Sequence, residues 1–261
     1  MVLNSEQLAL FFERIGLRYE DYKDRCLDSV YLNELYKACY LSLTFENLDI
    51  LAGKPTSLRQ EDLYEKFIVR RRGGSCFEMN GLCGIFLRSL GFGVRDFLSR
   101  FFRDAGGKVP MRRHRLLEVT TLDGKFLWDI GIGMRSPRIV LKIVENLQQK
   151  QENGEVYKLV KEEFYGWVLY EYHNGEWLRI LSFTEEPQDD VDFITAMVWC
   201  ELHPDSPFNK QYMIAVKTEE GIKTLDGLEY KESVRDTIVV RRTLTESEVP
   251  ELLRKEFYLN V

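Results

Sequence analysis

Cys76 is the residue best placed to do chemistry. It follows Arg71-Arg72-Gly73-Gly74-Ser75 and opens the run Cys76-Phe77-Glu78-Met79-Asn80. Ser75 and Glu78 have the spacing of a capping box, which predicts a helix with Ser75 at the N-cap and Cys76 at N1. From Leu82 onward the apolar positions Leu82, Ile85, Phe86 and Leu90 keep a helical period, and Gly91 marks the end. Unpaired amide donors and the positive dipole end at such a helix start stabilise a thiolate. A free cysteine is also a common small packing residue. Position alone therefore leaves nucleophile and core filler equally open.

A thiolate needs a base, and the base needs an orienting group. The chain has only three histidines: His114, His173 and His203. His114 opens the strand-like run Arg115-Leu116-Leu117-Glu118-Val119. The facing run Phe126-Leu127-Trp128-Asp129-Ile130 carries a carboxylate among apolar neighbours, where burial is costly unless the acid is paired. His173 sits beside a turn and reads as exposed, and His203 precedes Pro204 in a loop and reads as structural. Cys76, His114 and Asp129 thus offer a nucleophile, a base and an orienter. Hairpin register is the obstacle. A two-residue loop at Asp123-Gly124 would set Asp129 opposite Glu118 and His114 opposite Gly133, roughly 13 Å apart along the strands. A four-residue loop from Thr120 to Asp123 would set His114 directly across from Asp129. The triad reading expects that wider loop, or a bulge of equal effect.

Three regions must hold these residues. Residues 1 to 91 read as helical. The stretch from Asn4 or Ser5 to Gly16 is amphipathic, Leu32, Leu35, Tyr36, Cys39 and Tyr40 form one stripe, and Leu58 to Arg70 forms another with Leu63, Tyr64 and Phe67 inward. Residues 92 to 190 read as short strands, from Val94–Phe102 onward. They are punctuated by Asp123-Gly124, Asn153-Gly154 and Asn174-Gly175, and the last joins the hairpin 165–172 with 176–183. So many short antiparallel strands favour a sheet curled into a barrel, which manages its edges. Glu185 to Asp190 reads as a solvated linker. Residues 191 to 261 mix the patterns: a helix near Phe193–Cys200, strands at 212–217 and 237–242, and a last helix through Phe257 opened by Thr245 and Glu248.

Composition bounds the function. The 261 residues are 44% hydrophobic, enough for a large core. A net charge of −6 disfavours non-specific nucleic-acid binding. With no apolar run of about 18 residues, no membrane span is expected, and Met1–Leu17 lacks the pattern of a signal peptide. Five cysteines without C-x-x-C spacing read as reduced thiols in a cytoplasmic protein. Three scattered histidines argue against a metal site.

The motifs together resemble one family. Arg72-Gly73-Gly74-Ser75-Cys76-Phe77-Glu78-Met79-Asn80 resembles the R-G-G-x-C-x-E-x-N signature of the arylamine N-acetyltransferases. Phe45-Glu46-Asn47-Leu48 is similar to the family's F-E-N-L segment. His114 with Leu116-Leu117, and Asp129-Ile130-Gly131, match its histidine and aspartate motifs. His203-Pro204-Asp205-Ser206-Pro207-Phe208 is similar to H-P-x-S-x-F, and all four stand in the family's order. The resemblance implies an α+β fold of three domains with a cysteine-protease-like Cys-His-Asp core. A helical bundle (1–91) would carry the nucleophile, an antiparallel β-barrel (92–190) the histidine and aspartate, and an α/β lid (191–261) would follow.

It also implies a ping-pong reaction: acetyl-CoA, a co-substrate, acetylates Cys76, and an arylamine, arylhydrazine or similar acceptor then takes the acetyl group. Phe45, Phe77, Ile132 and Phe208 match positions lining the acceptor pocket, though each reads equally well as core. Gly133, Arg135 and Arg138 are the implied CoA contacts, since Gly131-Ile132-Gly133-Met134 is no phosphate loop. Arg72 is expected to pair with Glu46, Glu78 to cap rather than to act as an acid, and Cys83 to pack. Met134, Thr44 and Glu201-Leu202 depart from the family pattern, which bears on specificity more than on chemistry. Alternative readings are an amide synthase of the same fold, a cysteine peptidase or transglutaminase, and an inactive binding homologue.

Overall fold

The computed structural model describes residues 2–102, 107–133, 136–234 and 237–261. Helix α1 (Ser5–Arg14) is capped by Asn4 and Gln7. Helix α2 (Ser29–Ser42) buries the stripe Leu32, Leu35, Tyr36, Cys39 and Tyr40. After α3 (Leu48–Leu51) comes α4 (Gln60–Tyr64), which widens into a π-helical turn, Glu65–Val69, that carries Lys66 inward. Helix α5 (Cys76–Ser89) begins at the cysteine itself. The four longer elements pack around Phe11, Phe12, Leu82 and Phe86, with the Phe11 and Phe86 rings stacked at 3.8 Å.

Eight antiparallel strands follow: β1 (Gly93–Phe101), β2 (Arg112–Thr121), β3 (Gly124–Trp128), β4 (Leu141–Lys142), β5 (Gln149–Lys150), β6 (Val156–Glu162), β7 (Gly166–His173) and β8 (Glu176–Phe183). Their order in the sheet is β4-β3-β2-β1-β8-β7-β6-β5. The sheet curls until Glu145, just past β4, bridges to Leu159 on β6, and the Asn146 amide donates to the Leu159 carbonyl at 2.8 Å. That contact brings the two ends of the sheet together around Phe97, Leu116, Leu127, Tyr157, Leu169 and Phe183. The β7–β8 turn is Asn174-Gly175, both with positive φ, as a tight hairpin requires.

The stretch 185–190 is exposed except at Gln188, which ties it to the barrel. The Gln188 amide donates to the Asp96 carbonyl at 2.9 Å, and its side chain accepts from the Leu98 amide at 2.7 Å. A free β1 edge with unpaired amides is the physical reason for this. Helix α6 (Asp190–Leu202) then packs against β2 and α5, and a short 3₁₀ turn follows at Pro207–Asn209. Strands β9 (Met213–Lys217), β10 (Gly221–Asp226), β11 (Glu229–Val234) and β12 (Thr237–Thr243) form an antiparallel meander backed by α7 (Val249–Phe257). Thr245 and Glu248 do meet, though as a turn ahead of α7. Among the described residues no helix is long and apolar enough to cross a membrane.

One short segment joins this last sheet to the stretch that leads into Cys76. Phe45 exchanges two backbone hydrogen bonds with Ala215 on β9, at 2.9 and 3.0 Å. On its other side Gly74 donates to Thr44 and accepts from Glu46, at 3.2 and 3.0 Å. A Cβ at Gly73 would stand 2.0 Å from the Thr44 carbonyl, so glycine there lets the two segments touch. Thr44, where the family has proline, donates its hydroxyl to the Phe257 carbonyl at 2.8 Å.

Candidate active site

Ser75 sits at the N-cap of α5 with extended dihedrals, and Glu78 accepts from its amide at 2.8 Å, so Cys76 is the first helical residue. By helix geometry the amides of Cys76 and Phe77 have no carbonyl partner four residues back. Beneath this terminus lies a buried ionic network. Lys66 reaches Glu78 at 2.8 Å and Asp49 at 2.7 Å, while Arg72 grips Glu46 at 2.7 Å. Burial pushes the Glu78 carboxyl up, against the pull of Lys66 and the Ser75 amide. Two cations answering three carboxylates leave Glu78 committed to capping. The expected Arg72–Glu46 pair is present. Lys66 and Asp49 had no local sequence signal, since nothing in a lone lysine and aspartate announces that a π turn will bring them together.

His114 lies on β2 with its Nε2 2.5 Å from Asp129 Oδ2, and both are buried. Its other nitrogen is left for Cys76, whose sulfur is close enough to act on the imidazole. Burial opposes the charged imidazole, but the Asp129 carboxylate and the Cys76 sulfur outweigh it and hold His114 up to about 10. Within this geometry the imidazolium form prevails at neutral pH, beside the Asp129 carboxylate.

The hairpin achieves this differently from the sequence expectation. Thr121 pairs with Gly124 and Leu117 with Trp128, so the loop is the two residues Leu122-Asp123, and the wider loop is not formed. Continued one pair past Trp128, the register puts Asp129 across from Leu116, diagonal to His114. Diagonal neighbours on one face stand about 7–8 Å apart at their backbones, within reach of two side chains. Because β3 ends at Trp128, the chain is free to turn Asp129 toward the imidazole. Asp129 Oδ1 takes two further donors, the Asn80 side chain at 3.0 Å and the Gly131 amide at 2.9 Å. Tyr36 Oη lies 2.8 Å from the Asp129 carbonyl and 3.0 Å from that of Pro137. A Cβ on Gly131 would fall 2.7 Å from Cys76 Cβ, so the strand exit touches the nucleophile's own backbone.

The pocket residues divide. Phe77 packs edge-on against Phe193 at 6.0 Å, and Phe208 borders the same cluster with Cys76, Met197 and Cys200. Phe45 faces Phe208 at 6.3 Å but packs against the helical core and not the Cys76 cluster. Ile132 instead packs with the barrel core. Gly133 has a left-handed φ of +78° and open space beside it. Arg135, like Met134, lies outside the described residues. Arg138 spends its guanidinium on the carbonyls of Thr218, Glu219 and Gly221 at 2.8–3.0 Å, which ties the barrel to the β9–β10 turn. Glu201 accepts from the Thr56 hydroxyl. His203 closes α6 and stacks on Trp199 at 5.0 Å, while His173 is half-buried beside the Asn174 turn. Cys83 is buried, and all five cysteines are free.

Residues 29–261 match a family model described as N-acetyltransferase. The arylamine N-acetyltransferase of Escherichia coli (strain K12) is 31% identical over 222 residues, 84% of this chain and 78% of that one. The solved arylamine N-acetyltransferase of Salmonella typhimurium superposes with a TM-score of 0.90 at 27% identity, covering 99% of this chain and 93% of its own. The Mycobacterium marinum arylamine N-acetyltransferase, solved in complex with CoA, gives a TM-score of 0.86 at 28% identity, with 97% and 93% covered. With a family model spanning nearly the whole chain and a full-length structural match, the chain belongs to the arylamine N-acetyltransferase family and is an acetyl transferase of that α+β fold.

Proposed function

We propose that Cys76 carries the acetyl group between acetyl-CoA and an aromatic amine or hydrazine, with His114 moving the proton and Asp129 holding His114. The observation that carries this reading is a buried imidazole held by a carboxylate at 2.5 Å, with the cysteine at the N-terminus of α5 near enough to raise it further. The thiolate attacks the acetyl carbonyl carbon, and the amides of Cys76 and Phe77 are suited to receive the oxyanion. The C–S bond to CoA breaks, and the leaving sulfur takes the proton of the His114 imidazolium. His114 is then neutral. The acceptor nitrogen attacks the thioester carbon and gives its proton to His114, and the Cys76 thiolate leaves. Both half-reactions return the site to its starting charge, and no step calls for a metal. A thioester exchanging with a thiolate is nearly balanced in energy, which suits cysteine.

Phe45, Phe77 and Phe208 would hold the acceptor ring, with Ile132 behind them. CoA would lie toward Gly133, whose left-handed backbone leaves room, and Arg138, with its guanidinium on three carbonyls, fits a supporting role on that side. Brief exposure to acetyl-CoA should add one acetyl group at Cys76 by mass spectrometry, and an arylamine should remove it. A Cys76→Ala variant that still acetylates amines at the wild-type rate would end this reading.

A further inference from the structure

The β1–β2 ladder breaks next to the catalytic histidine. Ser99 pairs with His114 and Arg100 with Arg112, so Arg113 is an extra residue, a β-bulge with no partner across the ladder. Bulges near a site re-aim side chains, because the inserted residue upsets the alternation of faces. Here the bulge sends Arg113 over the Trp199 ring at 5.3 Å and the Phe208 ring at 5.6 Å, close enough to Cys200 to pull its thiol down against the effect of burial. Phe208 and Cys200 belong to the cluster that contains Cys76. Consecutive residues therefore reach the same site, His114 at the sulfur and Arg113 at the aromatic wall beside it.

Arg113 is half-buried, and among the described residues no carboxylate lies within ion-pair distance of it. That is unusual in a chain with 42 acidic and 36 basic residues. The surroundings repeat the imbalance. Arg100 stands directly across from Arg112, a like-charged pair that costs stability, and burial together with Arg112 makes Arg100 easier to deprotonate. A guanidinium is always charged, presents a planar fork to a carboxylate and stacks on aromatic faces. Held between two rings, this one is pre-organised for a flat ligand with an acidic group.

We propose that Arg113 is a specificity-determining residue that selects aromatic acceptors carrying a carboxylate, with the ring beside Phe208 and the acid on the guanidinium. The proposal rests on the acetyl-transfer reading above. The test compares 4-aminobenzoate with its neutral near-isostere 4-aminobenzamide, using wild type, Arg113→Gln and Arg113→Lys. The ratio of kcat/KM for the two acceptors cancels intrinsic nucleophilicity and any general loss of activity. It should fall at least tenfold in Arg113→Gln and recover in part in Arg113→Lys. In the wild type, benzoate should compete with the acceptor at least tenfold more tightly than benzamide, a result that needs no variant to fold. A ratio unchanged within threefold, equal losses for both acceptors, or a loss confined to acetylation by acetyl-CoA would each overturn the proposal; the last would make Arg113 a reader of CoA phosphate. Failure of the wild type to form acetyl-Cys76 would instead sink the acetyl-transfer reading, and this inference with it.

Discussion

Asp129→Asn separates charge from shape at this site. The carboxamide keeps the volume of the acid, and its oxygen can still accept from Asn80 and Gly131. Its nitrogen, however, faces His114 Nε2, so Nε2 must become an acceptor and the ring proton moves to the nitrogen facing Cys76. Burial already disfavours the imidazolium, and the chief force opposing it is the Asp129 charge. Without that charge His114 should fall from about 10 to at or below its ordinary 6.5. A drop of about 3.5 units is worth about 5 kcal/mol between the two protonation states, and the wrong tautomer adds to it. Acetylation of Cys76 should therefore slow by about 10³- to 10⁴-fold at pH 7.5, the scale known for removing the orienting acid of such triads. Rapid quenching with intact-mass detection measures this step directly. The pH profile is the sharper readout: the high-pH loss of rate near 10 in the wild type should move below about 6.5 in the variant. A variant within tenfold of wild type, or one whose profile stays put, would refute the assignment of Asp129 as the source of the histidine's charge.

Gly131→Ala should leave the fold intact by circular dichroism yet lower acetylation at least tenfold, because its Cβ would meet Cys76 Cβ at 2.7 Å and Cα at 2.9 Å. Glu46→Ala leaves Arg72, whose side chain is 15% exposed, with only the longer Asp49 contact at 3.4 Å and removes the acceptor of the Leu48 amide. It should cost about 3 kcal/mol, read as a lowered chemical-denaturation midpoint. Lys217 is buried against the carbonyls of Ser136 and Pro137 at 2.5 and 3.2 Å, with Arg138, Glu155 and Asp129 nearby, and burial lowers it to about 7. The unfolded chain then binds the extra proton between pH 7 and 10.5, so this group's contribution to stability rises with pH across that window. His114 works the other way, its contribution being lost as pH climbs from 6.5 toward 10. Comparison with Lys217→Met isolates the lysine: wild type should gain about 2 kcal/mol on the variant between pH 7.5 and 9, from 1.36 kcal/mol per pH unit. A flat difference would remove the buried-lysine argument.

The parts of the site that sequence revealed are those set by short-range rules. A capping box fixes Cys76 at N1, apolar spacing fixes which face of α2 and α5 is buried, and a lone acid among apolar residues marks Asp129. What escaped depends on where a chain stops being regular. Hairpin register was misjudged because Gly124, with a φ of +147°, pairs within the ladder instead of turning. A strand's last pair is a tertiary outcome, and Asp129 reaches His114 only because β3 ends one residue earlier. Strands β10 and β11 were missed because polar Lys223, Thr224, Lys231 and Glu232 dilute their alternation, and only one face of that meander meets α7. Arg113 gave no signal either, since a bulge is visible only once the ladder on both sides of it is known. Asn80 was within reach: it stands four residues after Cys76, on the same helix face.

That asparagine explains how α5 and the barrel strands keep Cys76, His114 and Asp129 in one place. Its amide nitrogen donates to the Arg115 carbonyl on β2 at 2.6 Å and to Asp129 Oδ1 at 3.0 Å. Its oxygen accepts from the Ile130 amide at 3.3 Å. One fully buried side chain on α5 thus holds β2 beside His114 and the exit of β3 beside Asp129. The distance from Cys76 to Asp129 is then set by one helical turn, held by its own backbone hydrogen bonds, plus side-chain hydrogen bonds that have no water to replace them. Loss of any one would leave a buried polar group unpaired, at about 1–3 kcal/mol, so the arrangement resists slippage. The helical bundle does more than carry the cysteine: through Asn80 it also fixes the two barrel residues that give the sulfur its partner.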